Sequence, residues 1–94
     1  MIDLNECKRF AGIVGKDDDA VMQLCMESAV EYHKNAGVPD SAKESSQYRL
    51  SVYLLASHYF DNRSQIGEGQ AASVPPSVVS CIAHLKYAPK DKGA

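Results

Sequence analysis

Leu50-Ser51-Val52-Tyr53-Leu54-Leu55-Ala56-Ser57-His58-Tyr59-Phe60 is the stretch whose reading decides the fold. It is too long for an ordinary strand and too poor in β-branched residues. Wound at 100° per residue, it places Tyr48, Val52, Leu55, Ala56 and Tyr59 on one face, with Tyr53 and Phe60 on its shoulder. Leu50 and Leu54 carry the apolar surface further around. The polar groups Glu44, Gln47, Ser51, His58 and Asn62 keep to one stripe. Upstream, Ser41-Ala42-Lys43-Glu44 has the S-x-x-E spacing of a capping box, so the spacing predicts a central helix from Ala42 to about Asn62.

Working outward, Asp3 and Glu6 stand as cap and partner for a short helix over Leu4 to Ala11. Ile2 and Cys7 are placed for a hydrophobic staple, and Gly12 is placed to end the helix. Asp17, Asp18 and Asp19 suit the positive end of a second helix, running from about Asp19 to Asn35 and closed by Gly37 and Pro39. Its polar residues Gln23, Glu27, Glu31 and Lys34 leave an apolar or small arc of roughly 240°, where a surface helix needs little more than ~100°. Two faces share that arc. Val21, Leu24, Cys25, Ser28, Ala29 and Tyr32 are expected to pack on the central helix; Met22, Met26, Val30 and His33 are expected to face a partner.

Residues 64–73 are small and polar with two glycines, and read as a mobile loop. Val74-Pro75-Pro76 ends it, with Pro76 suited to the first turn of a last helix edged by Val78, Val79, Ile82 and Leu85. The tail over 88–94 has nothing to bury and is expected to be disordered. The fold class is therefore all-α. One small domain over 1–94 holds about four helices, two of them long and central, with a flexible loop before the last.

Composition narrows the function. Ten basic and twelve acidic residues give a net charge of −2, and no basic stripe of the kind a duplex-binding domain carries. The longest unbroken apolar run is far too short for a membrane span. Met1-Ile2-Asp3-Leu4 lacks the basic and apolar regions of a secretory leader, so the chain is expected to stay in the cytoplasm where it is made. Cys7, Cys25 and Cys81 are widely spaced and read as inert thiols. His33, His58 and His84 sit on different helices without ligand spacing. No nucleophile elbow, phosphate loop or zinc-protease motif is present, and Gly67-Glu68-Gly69 follows no strand. The sequence reads as a protein with no catalytic, cofactor or metal site. Tyr48, Tyr53, Tyr59 and Phe60 alternate with leucines, not lysines, so they suit a core or subunit interface better than a base-stacking platform. Arg63 is placed either to bind the last carbonyls of the central helix or to bond to a neighbouring subunit.

The helix Leu54 to Phe60 followed by Asp61-Asn62-Arg63, then Val74-Pro75-Pro76 and an amphipathic segment, resembles the small head–tail connector proteins of tailed bacteriophages. Leu4-x-x-Cys7-x-x-Phe10, Asp17 to Asp19 and Ala29-x-x-Tyr32 are similar as well; the polar segment 38–46 and the three cysteines depart from the pattern. The resemblance implies a structural virion protein without cofactor. About a dozen copies would form a ring at the portal vertex, with the portal protein on one side and the next head-completion or tail protein on the other, and DNA passing through without sequence-specific binding. A ring needs heterologous contacts, which a second apolar face supplies, and an acidic chain does not hold sliding phosphates. The residues expected at subunit or portal contacts are Met22, Met26, Val30, Tyr59, Phe60, Asn62, Arg63 and Ile66. Two other classes fit the composition: a small helix-turn-helix regulator, which lacks its basic recognition helix here, and a helical protein-interaction module.

Overall fold

In the computed structural model, residues 2–62 and 74–87 are described, and they form four α-helices and no strand. The helices are α1 (Leu4–Ala11), α2 (Asp19–Asn35), α3 (Ser46–Asp61) and α4 (Pro76–Tyr87), with a 3-10 turn at Asp40–Glu44. α3 packs against all three other helices and the 3-10 turn, so it is the centre of the bundle. The expected loop and tail lie outside the described residues.

Local chemistry sets most of the boundaries. Asp3 caps α1 by accepting from the Glu6 amide at 2.9 Å. At the other end Gly12 takes the left-handed conformation (φ 76°). There the Ile13 amide reaches the Lys8 carbonyl and the Gly12 amide the Arg9 carbonyl, the paired bonds of a Schellman ending. Gly37 (φ 101°) ends α2 in the same way, through Val38 to His33 and Gly37 to Lys34. Between α1 and α2 the Lys8 ammonium bonds both the Gly15 carbonyl and the Asp19 carboxylate, the latter at 2.6 Å.

The start of α3 differs from the capping-box expectation. Ser41 does not cap it. Instead the segment Asp40–Glu44 closes 3-10 bonds, Ala42 to Pro39 and Ser45 to Ala42, and Ser45 is extended. Ser45 Oγ then accepts from the Tyr48 amide at 3.1 Å and donates to the Ala42 carbonyl at 2.9 Å. One serine joins both pieces.

The core contains Met22, Cys25, Met26 and Ala29 of α2, Tyr48, Val52, Tyr53, Leu55 and Ala56 of α3, and Val78, Ile82 and Leu85 of α4. The expected faces of α2 hold only in part: Cys25 and Ala29 are buried as expected, but Met22 and Met26 are buried with them. Met22 is fully buried and Met26 is 4% exposed, whereas Val21 is 38% and Leu24 63% exposed. The His33–Ser51 pair lies on this buried face. His33 Nδ1 donates to the Ala29 carbonyl (2.7 Å), and a carbonyl can only accept, so Nε2 accepts from Ser51 Oγ at 2.6 Å. His33 also meets Tyr48 edge to face at 5.7 Å. With its polar atoms satisfied, His33 is buried with the methionines and α2 turns Leu24 outward. Ser51, placed by the helical wheel in the polar stripe, is fully buried for the same reason.

Candidate functional site

The surface expectation does not hold for Met22 and Met26, which form part of the subunit's own core. Val30 is half-buried and lines a cleft of about 700 Å³ with Ile2, Lys43, Glu44 and Tyr48. Tyr59 and Phe60 are half-buried and pack against the core, and burial pushes the Tyr59 hydroxyl pKa up. The Asn62 side-chain amide donates to the His58 carbonyl at 2.9 Å, the helix-closing role considered for Arg63. Arg63 and Ile66 lie outside the described residues. Of the six expected contact residues that are described, Met22 and Met26 lie in the core, so the six are not gathered on one exposed surface.

What the fold does gather is a cleft between α1 and α3, about 390 Å³ in volume and lined by Glu6, Arg9, Phe10, Arg49, Leu50 and Tyr53. Its floor is a relay. In a capping box the third helical residue accepts directly from the cap amide. Here the Tyr53 phenol stands between them, accepting from the Asp3 amide at 3.0 Å and donating to Glu6 Oε1 at 2.6 Å. Burial first, then the bond to Glu6, pushes the Tyr53 hydroxyl up to about 12, so it remains a donor. Arg49 reaches Glu6 at 3.3 Å, a half-exposed pair worth at most ~1 kcal/mol. Phe10 lies over Tyr53, its ring 6.0 Å away, yet remains 44% exposed, as does Leu50.

The α2 surface offers a second exposed apolar patch, Val21 and Leu24. It borders Glu27 and Glu31 along the helix and Asp17 and Asp18 at its start, with Lys16 and Lys34 at the two ends. The sequence held a signal for both patches, namely apolar residues beside charges in which one sign predominates. It was obscured because Phe10 and Leu50 also match the core periodicity.

The groups that most resemble reactive ones are buried. His33 and Ser51 have the hydrogen bond of a base and nucleophile, but both are fully buried, so no substrate reaches them. Burial first, then Cys25 and Glu6, pushes the Cys7 thiol up to about 11, away from the reactive thiolate. No group of three or more His, Cys, Asp or Glu among the described residues is placed to hold a metal ion, and no described helix is long and apolar enough to cross a membrane.

The family model described as phage gp6-like head-tail connector protein matches residues 1–85. The chain belongs to this connector family. No curated protein and no solved structure matches it. The connector's role is in phage head–tail connection, as a structural component of the virion, and family membership implies contact with other head and tail proteins.

Proposed function

We propose that the connector forms an oligomeric ring of about a dozen copies at the portal vertex, joining the DNA-filled head to the tail. The observation that carries this reading is the family match over residues 1–85. The all-helical bundle and the exposed apolar patches on different helices support it, because a closed ring needs two unlike surfaces per subunit. The portal protein would meet one side of the ring and the next head-completion or tail protein the other. Val30, Tyr59, Phe60 and Asn62, together with Arg63 and Ile66, are the proposed contributors to these end-on contacts. DNA would pass through the ring without being read: the chain's net charge of −2 does not favour neutralising phosphates.

The test uses DNA-filled heads from a phage lacking this gene, incubated with purified protein and imaged by electron microscopy. A ring at the single portal vertex, and recovery of tail joining, is the expected result. Heads that remain bare, or protein bound at every vertex, would refute the proposal.

A further inference from the structure

From the charges around the two patches we infer that the α1–α3 cleft of one connector subunit receives the Val21–Leu24 stripe of a second copy. This rests on the ring reading for its occupant and names the two surfaces that make the contact. The cleft presents exposed Phe10 and Leu50 beside two guanidiniums, Arg9 and Arg49, facing one carboxylate, Glu6. Arg9 makes no ion pair among the described residues, so its charge is available. The stripe presents Val21 and Leu24 among Asp17, Asp18, Glu27 and Glu31, against Lys16 and Lys34.

Each patch is apolar with a rim of one dominant sign, and the signs are opposite. Cleft on cleft would place arginines against arginines, and stripe on stripe would place carboxylates against carboxylates; like charges so placed cost several kcal/mol. Only cleft on stripe matches both apolar area and charge. Such a pairing is heterologous: once joined, one copy still has its stripe free and the other its cleft, so the pair can go on adding neighbours. The half-exposure of Phe10, Leu50 and Val21, and the greater exposure of Leu24, shows that the subunit leaves both surfaces open.

The purified full-length protein tests this by sedimentation velocity across concentration. Wild type should self-associate. Leu24→Glu, which disables the stripe, and Leu50→Glu, which disables the cleft, should each weaken association at least tenfold. Circular dichroism checks that both remain folded; Arg9→Glu is the fallback if Leu50→Glu does not. An equimolar mixture of Leu24→Glu and Leu50→Glu should then form heterodimers and stop there, since each variant retains the surface the other lacks. An isologous interface gives no such rescue. A monomeric mixture beside an associating wild type overturns the pairing, as does wild type that remains monomeric at millimolar concentration. If both variants still form rings on connector-free heads, the pairing fails while the ring stands. If heterodimers form but no variant or wild type binds heads, the ring fails while the pairing stands.

Discussion

Removing the Ser51 hydroxyl isolates its hydrogen bond to the buried His33 ring. In Ser51→Ala the buried His33 ring keeps its Nδ1–H bond to Ala29, but Nε2 loses its donor. An unsatisfied buried acceptor costs ~1–3 kcal/mol, against a total stability of ~5–14 kcal/mol for a chain of this size. Taking about 2 kcal/mol, and ~4–8 °C per kcal/mol for a domain of this length, melting should fall by ~8–16 °C. The companion variant His33→Leu should cost less per group lost, because a helical serine can turn its hydroxyl to a carbonyl one turn back. Replacing both partners removes the unsatisfied group altogether, so His33→Leu/Ser51→Ala should be at least ~1 kcal/mol more stable than the two single losses added together. Urea and thermal unfolding followed by circular dichroism measure all four corners of the cycle. A Ser51→Ala loss below ~0.5 kcal/mol, or additive single losses, would show that the hydroxyl does not satisfy the ring.

Burial holds His33 below its usual 6.5, so the unfolded chain takes up the proton first as pH falls. The stability from its neutral burial is whole above about 6.5 and declines below it, by at most ~1.4 kcal/mol per pH unit; urea midpoints at neutral and mildly acid pH should show this slope shrinking in His33→Leu. Met22→Ala should cost ~2–5 kcal/mol, while Leu24→Ala should stay within ~0.5 kcal/mol of wild type, and the reverse order in thermal melts would return α2 to its expected orientation. Tyr53→Phe should lose ~0.5–2 kcal/mol by breaking the relay between Asp3 and Glu6. In alkaline absorbance titration the same variant should lose a step at about 12, and loss of a step in the ordinary tyrosine range of about 10 instead would contradict the relay.

The sequence conveys the helices better than the faces they bury. The α1 and α2 limits follow from cap chemistry within a few residues, Asp3, Gly12 and Gly37, and the α4 start follows from Pro76. The α3 start was misread because Ser41-x-x-Glu44 and Ser45 both satisfy local rules, and only the 3-10 bonds choose between them. The two apolar faces of α2 differ little in hydropathy. One of them carries His33, whose partner Ser51 lies 18 residues beyond it, and a helical wheel drawn one helix at a time does not register such a partner. The proposed contact surface is less legible still. Its cleft joins Glu6 to Arg49, 43 positions apart, and Met22 and Met26, expected at the surface, are buried while Leu24 is exposed.

That separation along the chain has a consequence for timing. Residues 6–10 supply one wall of the cleft and residues 46–53 the other, and the Tyr53 phenol fastens the two walls together. A chain still emerging from the ribosome, or one whose first helix has come loose, has the apolar residues but no socket. Under the proposed pairing, copies that have not finished folding have no receptor to offer a neighbour, and the fold itself would act as the licence for polymerisation.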